Sequence, residues 1–259
     1  IFLYEKERDF MKIYTLMENI SHDECLACEH GLSLYIEADG KKILFDTGAS
    51  ENFAANAEKM GVDLKAVDFA AISHGHYDHG GGLAKFIEIN DHAPIYISNK
   101  GFNQYYSGTD FNVSIPEGLE GNPRFVLTSE PIKLSENITL LNCNDREAKY
   151  FADPYGLNKL VDGEFIPDDF LHEQYLIIEE NGKRIVISGC SHKGILNIME
   201  WLKPDILIGG FHFFRLTTEG EDAATLDKSA AILNEYGATY YTCHCTGTEQ
   251  YEYLKAQMP

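Results

Sequence analysis

The 259-residue sequence predicts an α/β fold in which two β-sheets face each other and helices cover their outer sides. Three observations predict it. Short apolar strands alternate with helical stretches in both halves of the chain. The segment IEADGKKILFDTG (36–48) aligns without gaps on IEENGKRIVISGC (178–190). Each copy is followed by a helix and then by a strand starting at an aspartate, Asp68 in DFAAIS and Asp205 in DILIGG, which runs into a histidine-bearing loop. Two such halves place two sheets face to face, with the loops of both meeting at one edge.

The elements follow in order. The opening ten residues, IFLYEKERDF, lack the basic, apolar and small-residue order of a signal peptide and read as an N-terminal extension. From Met11, MKIYTLMENI reads as a first strand, and 11–259 as a single domain. LSLYIE (32–37) and ILF (43–45) flank Asp39-Gly40, a two-residue hairpin signal. Ser50 caps a helix, NFAANAEKM, that Gly61 ends. DFAAIS is a short buried strand, GLAKFIEI a helix and PIYIS a strand. Residues 99–172 are rich in Tyr, Asn, Gly and Pro, with strand signals in RFVLTS and NITLLN; they read as an insertion of connecting hairpins, a lid or substrate wall. Regular structure resumes at QYLIIEENGKRIVISGC, with a second hairpin signal at Asn181-Gly182. Helices over about 194–202, 225–236 and 248–257, with strands DILIGG and ATYYTCH, complete the chain.

The formal charge is -20, from 41 acidic and 21 basic residues. Such a surface repels nucleic acid and anionic membrane, so neither is expected as a partner. A phosphorylated small molecule stays open, because a bound cation reverses the local field. No apolar run approaches the roughly 18 residues of a membrane span. Six cysteines in a long chain with no export signal read as reduced thiols in a cytoplasm.

AISHGHYDHGGG (71–82) crowds His74, His76, Asp78 and His79 into one loop after an apolar strand. Imidazoles pack poorly together unless something binds them. First-row metals accept imidazole nitrogen and carboxylate oxygen at roughly 2.0–2.2 Å. The simplest division gives His74 and His76 to one cation, Asp78 and His79 to a second about 3.5–4 Å away. One loop cannot complete two coordination shells. Further donors are sought where other apolar strands end: Cys190 and His192 in ISGCSHKG, His212 in GGFH and His244 in TCHCTG, with Asp46 in LFDTG orienting a ligating histidine. Cys190 is read as a ligand, a bridge between the metals, or a small buried hydrophobe. Cys243 and Cys245 alternate around His244, so on a strand they point away from it. Cys25-Leu-Ala-Cys28 is a single CxxC and reads as a pair of reduced structural thiols.

FDTG at 45–48, HGHYDH at 74–79, ISGC at 187–190 and the late His244 resemble the metallo-β-lactamase superfamily, in that family's order. The resemblance implies an αββα sandwich of two mixed sheets with a one- or two-metal site at the sheet edges. EHGLSLYIE, GCSHKG, GGFH and HCTG are similar to the branch named for the 7,8-dihydropterin-6-ylmethyl-4-(β-D-ribofuranosyl)aminobenzene-5'-phosphate synthases. Many members of the superfamily place a bridging aspartate where Cys190 stands, so His192 is favoured as the cross-sheet ligand, with His172 as the alternative.

The implied reaction is hydrolysis of a small ester, lactone or phosphoester by metal-activated hydroxide, with zinc as the default metal and iron or manganese as alternatives. Asp78 would steer the nucleophile, and His212 or His30 would protonate the leaving group. Thr246 would hold a phosphate or carboxylate. Phe102, Tyr105 and Tyr106 would either stack on a flat, pterin-like substrate or serve as half-buried packing of the lid. The alternatives are a dihydropterin-diphosphate-dependent synthase, a di-iron redox protein and a non-catalytic ligand-binding protein.

Overall fold

The computed structural model describes residues 11–258; the reading of 1–10 as an extension lies outside them. The first sheet runs β1 (Lys12–Met17), β2 (Ser33–Ala38), β3 (Lys41–Phe45), β4 (Phe69–Ala71), β5 (Ile95–Ser98) and β8 (Phe125–Thr128). The second runs β16 (Thr239–Thr242), β15 (Ile206–Gly209), β14 (Lys183–Ile187), β13 (Tyr175–Glu180), β10 (Ile138–Leu141) and β9 (Ile132–Lys133). Both are mixed sheets, as the sequence predicts.

The internal echo is a repeat of pairing. β1 pairs antiparallel with β2, β2 antiparallel with β3, and β3 parallel with β4. Likewise β10 pairs antiparallel with β13, β13 antiparallel with β14, and β14 parallel with β15. The aspartate that opens each parallel strand makes the same bond in both halves. Asp68 Oδ2 accepts the Lys42 N–H and Asp205 Oδ2 the Arg184 N–H, each at 2.7 Å. Both hairpins turn on a left-handed pair, Asp39-Gly40 and Asn181-Gly182, as a two-residue turn requires.

Alternation along the strands separates three apolar layers. Leu34, Ile36, Ile43 and Phe45 meet Leu176, Ile178, Ile185 and Ile187 between the sheets. Tyr35 and Leu44 point outward to α1 (Asn52–Lys59) and α3 (Leu83–Ile89). Val186, Tyr175 and Leu207 point to α4 (Ile195–Leu202), α5 (Gly220–Glu235) and α6 (Thr248–Lys255). Helix, sheet, sheet, helix is the observed order of layers.

Several sequence expectations are corrected. The N-cap position of α1 is Glu51, whose side chain makes no cap bond; Ser50, one residue earlier, accepts the Asn52 N–H on its hydroxyl at 3.2 Å, and Glu29 gathers the Ala49 and Ser50 N–H groups, each at 3.0 Å. Helix α5 begins at Gly220, about a turn before the expected start. The 99–172 stretch is an insertion only in part. Its strands β8 and β10 pair with β5 and β13 inside the two main sheets. The remainder forms a third sheet, β12 (Glu164–Pro167), β11 (Leu157–Val161), β6 (Tyr105–Ser107) and β7 (Phe111–Asn112), tied to the histidine loop by a bridge between His76 and Ser114. No helix of the described residues is long and apolar enough to cross a membrane.

Candidate metal centre

The parallel strands of both sheets deliver their C-terminal ends to one edge. Asp46 follows β3, His74 follows β4, Cys190 and His192 follow β14, His212 follows β15 and His244 follows β16. Asp78 and His79 lie on the short helix α2 (Tyr77–Gly80) just beyond. Its glycines do not serve as left-handed turn residues. A Cβ on Gly81 would strike the Ala49 carbonyl, and one on Gly82 the Thr47 carbonyl, so their smallness lets α2 sit against the FDTG loop. Asp46, Ser191, His212 and His244 all hold left-handed backbone (φ 60°, 60°, 54° and 48°), and non-glycine residues in that region gather at functional sites.

The first donor group contains His79, His244, Asp78 and Cys190. The Nδ1 of His79 lies 2.6 Å from Asp46 Oδ2, and the Nδ1 of His244 lies 2.7 Å from Asn19 Oδ1. Both acceptors call for the proton on Nδ1, which leaves Nε2 as a lone pair. Those Nε2 atoms stand 3.2 Å apart, and His244 Nε2 is 3.2 Å from Asp78 Oδ2. Three acceptor atoms thus face one another, and among the described residues the hydrogen nearest them is the weak S–H donor of Cys190, whose Sγ is 3.1 Å from His79 Nε2. Two nitrogens held tetrahedrally at zinc distances lie about 3.3 Å apart, so a cation at that point resolves the conflict. Without one, a proton does so in part. Burial disfavours the His79 cation, but Asp46 and Asp78 more than offset it and raise its pKa.

The second group contains His74, His76 and His192. Ser73 Oγ donates to Asp46 Oδ2 at 2.7 Å and accepts from His74 Nδ1 at 2.8 Å, which frees His74 Nε2. That atom is 3.2 Å from His192 Nε2. Nε2 of His76 and Nδ1 of His192 are buried without a hydrogen-bond partner among the described residues. Burial, reinforced by neighbouring imidazoles, holds His74 and His192 well below the ordinary histidine range, and lowers His76 to about 3. The rings are therefore neutral near pH 7, with lone pairs available for coordination. Asp78 lies close to both groups, as does the Sγ of Cys190. These residues fit one or two divalent cations, and orphaned buried nitrogens are what such a cation would satisfy.

His172 lies with His76 and Asp168 in a separate donor group. Its Nδ1 accepts the Gly75 N–H at 2.8 Å and its Nε2 bonds Asp168 Oδ2 at 3.0 Å, so both nitrogens are used. The four residues expected from sequence to touch substrate also have partners within the chain. The Tyr105 hydroxyl donates to the Lys100 carbonyl at 2.6 Å and its ring packs on His172, 4.0 Å between centroids. Tyr106 packs edge-on against Phe165 in the third sheet, and Phe102 against Phe125. The buried Thr246 hydroxyl accepts the Phe211 N–H at 2.9 Å and bonds Thr242, which uses two of its three hydrogen-bonding valences within the chain. Cys243 and Cys245 do not flank His244 on a strand. His244 and Cys245 lie in a 3-10 turn that Cys243 caps, and the Cys245 thiol bonds the Cys190 carbonyl at 3.3 Å. Cys25 and Cys28 are exposed free thiols.

Sequence reading missed the supports. Asn19 orients His244, Ser73 orients His74, and Glu173 accepts the N–H groups of His192 and Lys193 at 2.7 and 3.0 Å. Ser73 immediately precedes the HGHYDH signal, but nothing local marks Asn19 or Glu173. Phe170 stacks on His192 at 4.5 Å with ring planes 8° apart.

Two cavities meet at the site. The smaller, about 190 Å³, is lined by His30, His76, Asp78, Cys190, His192 and His212 together with Arg215. His30 Nε2 is 3.3 Å from Asp78 Oδ2. The larger, about 470 Å³, shares only His192 and His212 with the first and opens between Tyr150–Tyr155 and α5.

A sandwich of two mixed sheets carrying buried imidazoles, a carboxylate and a thiol at one edge defines a metal-dependent enzyme. The family profile of the metallo-beta-lactamase superfamily matches residues 27–226, and the chain belongs to that superfamily. It is 32% identical over 265 residues, 92% of this chain and 88% of the relative, to the 7,8-dihydropterin-6-methyl-4-(beta-D-ribofuranosyl)-aminobenzene-5'-phosphate synthase of Methanocaldococcus jannaschii. It is 29% identical to an uncharacterized protein of the same organism, covering 91% of this chain and 90% of that one. A crystal structure described as a metal-dependent hydrolase of the beta-lactamase superfamily superposes with a TM-score of 0.79 at 28% identity, covering 96% and 93% of the two chains.

Proposed function

We propose that this enzyme hydrolyses a small ester or lactone, or a phosphoester, at a two-cation centre held by His74, His76 and His192 on one side and by Asp78, His79 and His244 on the other, with Cys190 between them. The observation that carries this reading is the facing of lone pairs at 3.2 Å, with the protons of His79 and His244 committed to Asp46 and Asn19. Divalent cations there would supply Lewis acidity, polarising the attacked group and making water a competent nucleophile near neutral pH.

The chain's own residues do the rest. Asp78 Oδ2 accepts a hydrogen bond from, and so orients, the incoming nucleophile. Burial, with the nearby Arg215 charge, lowers His212 to about 3, so at neutral pH it is a neutral hydrogen-bond partner and not a cationic acid. Delivery of a proton to the leaving group falls to His30, half-exposed beside Asp78 at the cavity mouth. Arg215, which has no carboxylate partner among the described residues, lines the same cavity and suits an anionic substrate. Zinc is the default cation, with iron or manganese compatible with the same donors.

A second reading is favoured by the 32% identity to the synthase over most of both chains: condensation of an aminobenzene with a dihydropterin diphosphate. The test is metal analysis of anaerobically purified protein followed by assays with phosphodiesters, phosphomonoesters and lactones. Turnover of one class with two bound equivalents supports hydrolysis. Pyrophosphate release that requires both a dihydropterin diphosphate and an aryl amine selects the synthase. If His76→Ala keeps both cations and full turnover, the centre is misassigned.

A further inference from the structure

The larger cavity has no part in the chemistry above, yet it borders it. Its volume of about 470 Å³ is in the range of small-molecule sites, and His192 and His212 form its boundary with the metal-side cavity. His212 is buried, and neither of its ring nitrogens has a hydrogen-bond partner among the described residues; its contacts are ring contacts with His192, Phe214 and Tyr155. An imidazole with both nitrogens unengaged, lining two cavities, is placed to meet a ligand that spans them. The outer wall is aromatic. Tyr150, Tyr155 and Phe151 come from one segment, and Phe151 is 88% exposed. A phenylalanine that open to water is the reverse of its usual placement, and it stands at the rim of a cavity. Across the cavity, α5 presents the short Ala224 and Thr225, which leave a slot opposite the rings.

We infer that this cavity is the subsite for a planar aromatic portion of the substrate, seated between Phe151 with its neighbouring tyrosines and the Ala224–Thr225 face of α5, while the substrate's anionic reacting group lies on the metal side of His192 and His212. Flat rings match a slot of this kind by stacking, and Phe151 loses its exposure when the slot is filled. The inference rests on the metal-centre reading for the position of the reacting group, but concerns what is attached to it.

The test uses metal-loaded protein and compares equilibrium binding of 1-naphthyl phosphate, methyl phosphate and inorganic phosphate by calorimetry. The naphthyl ester is expected to bind at least tenfold more tightly than the methyl ester. Phe151→Ser and Ala224→Trp, the second filling the slot from an exposed helix position, are each expected to abolish that ratio while leaving metal content and inorganic phosphate affinity unchanged. Equal affinity for the two esters in the unmodified protein overturns the inference, as does an aryl preference that survives both substitutions. A protein that shows the preference but hydrolyses no ester, lactone or phosphoester keeps the subsite and sinks the hydrolase reading instead. Loss of the preference with turnover intact does the opposite.

Discussion

Asn19 touches His244 twice, accepting from Nδ1 at 2.7 Å and donating to the carbonyl at 3.3 Å. It sets which nitrogen of His244 carries the proton, and so which one can coordinate. Asn19→Ala should weaken metal binding about 10–100-fold with little loss of fold, whereas Asn19→Asp, which keeps the acceptor, should restore it. Titration with zinc in competition with a chelator reads this directly. Glu173 does the same for the backbone of His192. Its buried carboxylate accepts the His192 and Lys193 N–H groups and the Tyr175 hydroxyl, the last at 2.7 Å. An amide in its place turns one donor against another, so Glu173→Gln should cost about 1–3 kcal/mol and lower the bound metal stoichiometry. Unchanged melting and full metal loading would remove Glu173 from the account. Gly189 lies against the Ser73–His74 pair, and a Cβ there would collide with the Ser73 hydroxyl. Gly189→Ala should therefore displace His74 and reduce metal content at an otherwise intact fold, as seen by circular dichroism with elemental analysis.

At the scale of elements, the two sheets are linked far from the metal edge by the tip of the β2–β3 hairpin. Asp39 accepts from the Ser135 hydroxyl at 2.5 Å and from the Asn137 N–H and side-chain amide at 3.1 and 2.9 Å, across to the turn between β9 and β10. The Ser135 hydroxyl, ahead of the Asn137 contacts, holds its carboxyl below the ordinary aspartate value. A lowered folded pKa means a contribution present above the unfolded value and lost as pH falls through the folded one. Asp39→Asn keeps the left-handed turn, so the difference in melting temperature from the parent should be present near neutral pH and vanish in acid. The site is exposed, so the difference corresponds to less than about 1 kcal/mol. The third sheet shows why some elements are hidden in sequence. β6 and β11 pair Tyr106 with Asn158, and β7 has only two residues, so neither length nor alternation announces them. The β2–β3 and β13–β14 hairpins, by contrast, carry their own turn chemistry and are legible residue by residue.

Across the whole molecule, a charge of -20 surrounds a centre of buried neutral imidazoles. A cation that binds only the folded chain stabilises it by mass action, about 2.7 kcal/mol when free metal exceeds its dissociation constant a hundredfold. Removal of metal should lower the melting temperature by several degrees, and zinc should restore it in proportion to the logarithm of its concentration. A melting temperature indifferent to chelator and to added metal would count against the centre.

HGHYDH, FDTG, ISGC and the repeated strand–hairpin–strand determined, by themselves, the superfamily and the sandwich, because each is written in contiguous residues with a fixed period or spacing. Only the tertiary structure set His192 and His172 in different surroundings, tied Thr246, Tyr105 and Tyr106 into contacts within the chain, and brought Asn19 and Glu173 to the histidine cluster. Those outcomes depend on which nitrogen or hydroxyl already has a partner. That partner is supplied by a strand end or loop as many as 225 residues away, a distance over which sequence patterns carry no hydrogen-bond information.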